Sequence, residues 1–211
     1  LHKSASNREV QVQRFKNLLA ELGLDETIAD RTRNFIDEES MADNDYLASE
    51  VPYRASYNIL KHPSELLLID GVDTQTYQAL MPYISTLPVS ARLNINTASN
   101  KVMAALSSSW SLSDADTVIS NRGEKGFASP DDFWNLAEVQ AFQENTDPNV
   151  ENSAKEVWDK ADFSVNSQYF EVFSKVTLAD RVATVEMLIY RNAETGKMRT
   201  YYRDYSRTEA R

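Results

Sequence analysis

Apolar residues recur at every third or fourth position through the first two thirds of the chain, the spacing of helices that pack one face on a core. Gly23 is placed to end the first helix, and Asp25 is placed to cap the second. The buried stripes expected for these two helices are Phe15, Leu18, Leu19 and Leu22, followed by Ile28, Thr32, Phe35 and Ile36. The pattern therefore predicts an N-terminal part built from short helices joined by loops.

Capping residues predict where the later helices begin. The side-chain oxygens of serine, threonine and aspartate satisfy the free N–H groups of a first helical turn, and an acid three residues later completes a capping box. The expected starts are Ser64, Asp73, Thr97, Ser113 with Asp116, and Ser129 followed by Pro130 and two aspartates. Short helices are thus predicted as far as Leu136.

The periodicity changes after Phe163. Residues 168–177 are rich in aromatic and β-branched side chains, and the next segment has the two-residue period of a strand. Its alternating apolar positions are Ala183, Val185, Met187 and Ile189. A turn over residues 192–197 and a returning strand over residues 198–205 follow. The chain is therefore predicted to be an α+β protein, in which helices precede a C-terminal antiparallel sheet of about three strands.

Composition narrows the classes of function. The 211 residues carry 22 basic and 32 acidic side chains, and a net charge of −10 disfavours general binding to nucleic-acid phosphates. The sequence has no cysteine, which excludes disulfides, thiolate metal sites and cysteine nucleophiles. Only His2 and His62 are available for histidine chemistry, and no Gly-x-Ser-x-Gly or phosphate-loop motif is present. No catalytic residue is predicted, and a hydrolase with a carboxylate pair is the enzymatic alternative.

The densest group of oxygen ligands lies in residues 37–45, which we call the acidic loop. Its five carboxylates belong to Asp37, Glu38, Glu39, Asp43 and Asp45. Calcium takes about six to eight oxygen ligands, and a loop this rich in carboxylates can supply several without closing a long chain. The spacing is not that of an EF-hand. A solvated acidic loop without metal is the alternative interpretation.

A helix-hairpin-helix module is suggested by residues 92–99 together with residues 115–129. Such modules hold DNA phosphates on backbone amides of a glycine-containing hairpin. The hairpin position here, residues 107–112, contains four serines and no glycine. Asn94 and Asn96 are expected to bond the local backbone rather than to catalyse. The scaffold is therefore expected without the DNA function, and a DNA-binding protein is the alternative function.

Taken together, these segments resemble the minor pseudopilin K family of bacterial type II secretion, from about residue 15 to residue 205. The resemblance rests on an ordered set of motifs rather than on any single one. In chain order the matching pieces are Asn34-Phe35-Ile36-Asp37 with the acidic loop and Tyr46, Tyr53-Arg54-Ala55-Ser56-Tyr57-Asn58, residues 64–72, Leu87-Pro88 with residues 92–99, Gly126-Phe127 with Asp132-Phe133, and the terminal hairpin rich in tyrosine and arginine.

The resemblance implies a pseudopilin body, in which a long N-terminal helix packs on an antiparallel sheet, with a large helical domain inserted between the first and the last strands. Residues 1–14 would then be a residual segment of the body, residues 15–165 the inserted domain, and residues 166–211 the returning strands. It also implies calcium in the helical domain. The predicted metal ligands are Asp37, Glu39, Asp43 and Asp45.

The function implied by the resemblance is not enzymatic. Family members are expected in the periplasm, at the tip of the pseudopilus, with minor pseudopilins I and J as partners and a hydrophobic N-terminal helix as inner-membrane anchor. That helix and most early strands are not found in these residues, so we expect a part of a longer protein, with residues 1–10 leaving a missing strand. The apolar face around residues 183–189 would then need another segment or chain to cover it.

Overall fold

The computed structural model describes residues 5–144 and 158–205. Within these ranges, 3-10 helices lie at Pro63–Leu68 and Lys160–Asp162. Helices precede an antiparallel sheet, so the α+β prediction is confirmed. The elements are α1 (Ala5–Glu21), α2 (Thr27–Ile36), α3 (Asp43–Leu47), α4 (Thr74–Leu80), β1 (Leu93–Asn94), α5 (Asn100–Ala104), α6 (Leu112–Asn121), α7 (Pro130–Trp134), α8 (Ala137–Glu144), β2 (Phe163–Ser164), β3 (Tyr169–Leu178), β4 (Arg181–Arg191) and β5 (Met198–Asp204).

Two hydrophobic clusters form the core of the helical part. The first lies between α1, α2, α3, the 3-10 helix Pro63–Leu68 and α4, and it includes the predicted stripes of the first two helices. Thr32 is also buried, and its hydroxyl is satisfied there by donating to the carbonyl of Ile28 at 2.7 Å. Gly23 ends α1 with a φ of +67°, as predicted.

The second cluster is aromatic and holds all three tryptophans of the chain. Phe133 lies at its centre, fully buried, with its ring centroid 5.7 to 6.2 Å from those of four other aromatic residues. These four neighbours are Phe127, Trp134, Trp158 and Phe163. Because all the tryptophans lie here, their fluorescence reports the unfolding of this cluster.

Several predicted helix starts are confirmed and three are wrong. Asp73 caps α4, since its carboxylate accepts from the backbone N–H of Thr76 at 2.7 Å. The residue directly before α2 is Glu26, but the Asp25 carboxylate accepts from the backbone N–H of Thr27 in its first turn at 2.9 Å. The start predicted at Ser129 is also confirmed, since Asp132 accepts from the backbone N–H of Ser129 at 2.9 Å.

The three wrong starts are each displaced by two residues. His62, not Ser64, caps the first 3-10 helix, and Ser99, not Thr97, caps α5. The capping box of α6 is Ser111 with Asp114, not Ser113 with Asp116. A stretch with several serines contains several residues that could cap a helix. Which serine becomes the N-cap depends on where the backbone enters the helix.

Because Ser111 and not Ser113 caps α6, alanine substitutions of these two serines are expected to differ in their effect on stability. Ser111→Ala removes the cap of α6 and is expected to lower the free energy of unfolding by about 1 kcal/mol. Ser113→Ala leaves the capping bonds in place and is expected to change it by less than about 0.5 kcal/mol. Chemical denaturation of the two variants checks this, and equal losses would contradict the assignment of the cap.

The C-terminal sheet has the strand order β3-β4-β5, and both pairings are antiparallel. The register places Phe170 opposite Ile189 and Val172 opposite Met187, with a bulge in the β4–β5 pairing at Leu188/Ile189. The three predicted strands are therefore confirmed. Among the described residues, no helix has the length and apolar character that a membrane crossing requires.

The sheet joins the helical part through a short parallel pairing and a few side chains. β1 pairs with β2, and the Asn94 amide donates to the Ser167 hydroxyl at 2.9 Å just before the sheet begins. The His62 ring lies 6.0 Å from that of Tyr202 on β5. The predicted boundary at residues 165/166 falls in this junction.

The predicted boundary at residues 14/15 falls inside α1. Residues 5–10 belong to this helix, while residues 1–4 lie outside the described part, and the expectation that residues 1–10 follow a missing strand stays a prediction. A regular helix satisfies its backbone groups within itself, and Val10 and Val12 are buried on it. The division into three domains otherwise stays a prediction.

Candidate partner-binding face

The burial of β4 alternates along the strand, and this alternation distinguishes the two faces of the sheet. Glu186 is 1% exposed and Leu188 is 6% exposed, whereas their neighbours Val185, Met187 and Ile189 are half-buried. Successive side chains of a strand point to opposite faces. One face of the sheet is therefore covered around Glu186 and Leu188, although Phe173 and Val182 on the same face are 43% and 56% exposed, and the other face is more open to solvent.

We call this second surface the open face. Its apolar residues, assigned from the strand register, are Phe170, Val172, Val176, Leu178, Ala183, Val185, Met187, Ile189 and Met198. Phe170 is 41% exposed and Val176 is 60% exposed. Within the described ranges, no helix packs along β3, β4 or β5. A contiguous apolar surface of this kind is typical of an interaction site.

The covered face holds a buried carboxylate that the sequence analysis did not single out. The Tyr202 hydroxyl donates to Oε1 of Glu186 at 3.0 Å, which joins β5 to β4 beside the ring of His62. An alternating strand shows which residues share a face, but it does not show which face is covered. Glu186 and Tyr202 therefore help to orient the sheet against the helical part, and this contact uses only the covered face.

The acidic loop is held by ion pairs and backbone hydrogen bonds. Asp37 pairs with Arg8 at 2.5 Å and accepts from the backbone N–H of Glu39 at 3.1 Å. Asp43 accepts from Arg54 and from the backbone N–H of Ala55, both at 2.8 Å. Two of the four predicted calcium ligands thus take part in the packing of the loop.

The other two predicted ligands, Glu39 and Asp45, are exposed. In the part of the chain that the structure describes, no three carboxylate or imidazole groups lie close enough together to hold one ion. The donor chemistry suits calcium, but this arrangement does not gather the four side chains into one cage. Calcium binding at the acidic loop stays a prediction.

The hairpin between α5 and α6 carries a negative charge where a DNA-binding hairpin would hold a phosphate. Asp114 accepts from the hydroxyl and from the backbone N–H of Ser111, at 2.7 and 2.8 Å, and these bonds hold the pKa of its carboxyl below the usual value. A carboxylate at a helix N-terminus occupies the position that favours an anion. The geometry therefore opposes the DNA-binding alternative.

Two family models match consecutive parts of the chain. Both are described as "Type II secretion system (T2SS), protein K", the first over residues 1–89 and the second over residues 93–151. The chain belongs to the type II secretion system protein K family. The division between the two models coincides with the division between the two hydrophobic clusters, since the first cluster draws on residues 12–84 with Ala105 and the second begins at Leu93.

Named relatives agree with this family. The type II secretion system protein K of Pseudomonas aeruginosa is 33% identical over 205 residues, which cover 92% of this chain and 56% of that protein. The protein of the same name from Pectobacterium carotovorum is 29% identical over 178 residues, covering 78% of this chain and 50% of that protein. The chain therefore spans about half the length of these protein K relatives.

A solved structure of a protein K complex has the same fold. The chain resembles a chain of the crystal structure of the GspK-GspI-GspJ complex from enterotoxigenic Escherichia coli, with a TM-score of 0.75 and 26% sequence identity. The match covers 99% of this chain and 74% of that chain. The pseudopilin K resemblance found in the sequence is thus confirmed, and so is the fold class.

Proposed function

We propose that this chain is part of a minor pseudopilin that assembles with counterparts of GspI and GspJ and takes part in protein export by type II secretion. The observation that carries the proposal is the fold that this chain shares with a chain of the GspK-GspI-GspJ complex, whereas the open face is the surface that the N-terminal helix of a pseudopilin body is expected to cover. The match to a chain from the GspK-GspI-GspJ complex supports the identity of the partners. The full-length protein would lie in the periplasm, anchored in the inner membrane by an N-terminal helix.

Burial of the open face under that helix can stabilise the body of the full-length protein. Taking one valine, isoleucine or methionine side chain fully out of water contributes about 1.5–3 kcal/mol. Val185, Met187 and Ile189 are only half-buried in this chain, and Val176 is 60% exposed. Completing their burial would contribute several kcal/mol to the stability of the body that joins the assembly.

The proposed mechanism is capping of the pseudopilus tip. The helical part, with its two clusters, is much bulkier than the three-stranded sheet that it adjoins. A subunit that carries such a body beside its assembly surface can join a fibre and prevent another subunit from adding beyond it. This role uses shape and binding, and it assigns no catalytic step to the chain.

A secretion assay tests this proposal in the bacterium that encodes the protein. Deletion of the gene is expected to abolish export by the type II system, and the full-length wild-type gene is expected to restore it. Met187→Asp, which places a charge in the open face, is expected to restore less than about a tenth of export, because burying an unpaired carboxylate is costly.

The matched control adds the same charge on the other face of the sheet. Thr177 is exposed and lies opposite Val182, so Thr177→Asp is expected to restore normal export. Immunoblots of both variants check that they accumulate to the wild-type amount. Full export with Met187→Asp at normal protein amount would overturn the role of the open face.

Calcium binding by the acidic loop is a separate proposal, supported by the density of carboxylates in residues 37–45. At a calcium concentration about a hundred times the dissociation constant, binding would stabilise the fold by about 2.7 kcal/mol. For a chain of this length, that raises the melting temperature by about 5–10 °C relative to EDTA. Thermal unfolding in calcium and in EDTA measures the difference.

Variants for the calcium test must spare the packing of the loop. Asp43→Ala would remove partners of Arg54 and of the Ala55 N–H, so it would destabilise the loop even without calcium. Glu39→Gln combined with Asp45→Asn changes two exposed side chains and is expected to abolish the calcium shift while leaving the melting temperature in EDTA unchanged. A wild-type protein whose melting temperature is the same in calcium and in EDTA would refute calcium binding.

A further inference from the structure

Exposed apolar side chains gather where the loop after α3 meets the end of the 3-10 helix Pro63–Leu68. Val51 is 76% exposed, Leu47 is 45% exposed and Leu68 is 46% exposed. Single exposed apolar residues are common on protein surfaces and need no explanation. Several that lie side by side are different, because a contiguous apolar surface marks an interaction site.

Hydrogen bonds bring these residues together on one surface. The Ser49 hydroxyl lies 2.7 Å from the carbonyl of Tyr46 and 2.8 Å from that of Val51, so the loop turns back beside Leu47. The Tyr53 hydroxyl donates to the carbonyl of Leu68 at 2.8 Å, which joins the loop to the end of the 3-10 helix. We call the surface formed by Leu47, Val51, Tyr53 and Leu68 the Tyr53 patch.

The Tyr53 patch rests on the first hydrophobic cluster. The Tyr53 ring centroid lies 5.1 Å from that of Tyr46, which is buried and packs edge-on against Phe35 at 5.0 Å. Tyrosine is among the residues enriched at the energetic centre of protein interfaces. A surface that is already held in place loses little conformational freedom when a partner binds.

Exposed carboxylates border the Tyr53 patch. Glu50 directly precedes Val51, and it forms no ion pair with a basic side chain in the described ranges. The Asp70 side chain is 74% exposed, with Oδ2 lying 3.5 Å from Nη1 of Arg31. Burial and, after it, the nearby Asp70 carboxylate raise the pKa of the Tyr53 hydroxyl, which places Asp70 beside the patch. An apolar centre with a negative border is complementary to a partner that is apolar and basic.

The sheet and the helix expected on its open face leave the Tyr53 patch accessible. The helical part meets the sheet on the covered face, where His62 contacts Tyr202, and the expected helix packs on the opposite face. A second copy of this chain does not suit the patch, because two copies would bring their carboxylates together and oppose association. An anionic membrane surface is repelled for the same reason.

We propose that the Tyr53 patch binds a cationic segment of a partner protein, in which an apolar anchor packs on Leu47, Val51 and Leu68 while lysine or arginine side chains pair with Glu50 and Asp70. This inference goes beyond the proposed function, because the patch lies outside the open face and its binding requires no assembled pseudopilus. The apolar anchor provides most of the affinity, whereas the charges speed association and exclude acidic partners.

A fluorescent peptide with two leucines between pairs of lysines is the probe, and anisotropy measures its binding in EDTA at about 50 and about 300 mM salt. EDTA keeps calcium away from the acidic loop, so the charge near the patch is the same in all samples. Wild type is expected to bind this peptide at least about tenfold more tightly than peptides with serine in place of leucine or glutamate in place of lysine.

The charge variant is Glu50→Gln with Asp70→Asn. It is expected to bind the peptide at least about fivefold more weakly than wild type at the lower salt concentration, with a smaller difference at the higher one. Its control, Glu124→Gln with Glu194→Gln, removes the same charge at exposed positions of other elements and is expected to bind within about twofold of wild type.

The apolar variant is Val51→Ser with Leu68→Ser, which is expected to weaken binding at least about tenfold at both salt concentrations. Its control, Val89→Ser with Val182→Ser, changes side chains that are 52% and 56% exposed on other surfaces and is expected to bind within about twofold of wild type. Melting temperatures equal to that of wild type check that the variants keep the fold.

Three outcomes would overturn the inference. Equal weakening by the charge variant and by its control would mean that the peptide responds to the overall charge of the chain. Wild type that binds none of the peptides at millimolar concentration would leave the patch without the proposed partner. Wild type that self-associates, when the apolar variant does not, would make a second copy the occupant. None of these results bears on assembly with the GspI and GspJ counterparts, which is measured separately.

Discussion

Replacing Asn96 with alanine is expected to lower the free energy of unfolding by about 3–5 kcal/mol, because one side chain joins three segments of the helical part. Its amide donates to the carbonyls of Phe127 and Val165 at 3.0 and 3.1 Å, and its Oδ1 accepts from the backbone N–H of Phe127 at 2.8 Å. Each bond contributes about 1 kcal/mol, and each partner left unpaired in the interior costs about 1–3 kcal/mol.

Gly126 packs so closely on the Asn96 side chain that residue 126 has no space for a side chain. A Cβ on Gly126 would lie 2.8 Å from Cγ of Asn96, and Gly126 has a φ of +71°. Denaturant unfolding followed by tryptophan fluorescence measures the effect. Asn100→Ala is the control, because its side chain bonds only the exposed Asp116 and the adjacent backbone N–H of Lys101, and it is expected to cost less than about 1 kcal/mol. A loss below about 1 kcal/mol for Asn96→Ala would show that the hydrogen bonds of the Asn96 side chain contribute little to stability.

Replacing Phe133 with alanine is expected to cost about 3–5 kcal/mol, the range for removing a large aromatic side chain from a packed core. Phe133 is fully buried and its ring is stacked on that of Trp158, with an interplanar angle of 7°. Three of the surrounding rings, those of Trp134, Trp158 and Phe163, are buried and already pack against one another, so they can fill the cavity only in part. The loss is therefore expected near the upper end of that range.

The same unfolding experiment measures Phe133→Ala through the tryptophans that line the cavity. Phe170→Ala is its control, because Phe170 is 41% exposed on the open face and is expected to cost less than about 1 kcal/mol. Equal losses for the two variants would mean that the aromatic cluster is not the stabilising core of this part of the chain.

Local patterns in the sequence were enough to predict most of the helices and the C-terminal sheet, but not α3 within the acidic loop, α8 or the β1–β2 pairing. The stripe from Ile28 to Ile36 and the alternation from Ala183 to Ile189 each report a periodicity that the backbone imposes directly. The caps were less reliable, because Ser111 and Ser113 have the same chemistry and only the path of the chain distinguishes them. The bulge at Leu188/Ile189 depends on the partner strand and has no local signal.

The candidate site was predictable only in part. The alternation in β4 predicted an apolar face that needs cover, and the structure leaves that face open. The burial of Glu186 was not predictable, because its partner Tyr202 lies on another strand. The same holds for the acidic loop, where Arg8 reaches Asp37 from 29 residues away. Contacts of this range are set by the tertiary fold, which periodicity does not encode.

Assembly with its counterparts is the central claim, and size-exclusion chromatography with light scattering tests it most directly. The chain is mixed with the purified periplasmic parts of the GspI and GspJ counterparts from the same bacterium. We expect one peak that contains all three proteins, with a mass equal to their sum, and we expect Met187→Asp to elute apart from the other two. Wild-type protein that elutes alone at its own mass, at micromolar concentrations of all three, would contradict the account.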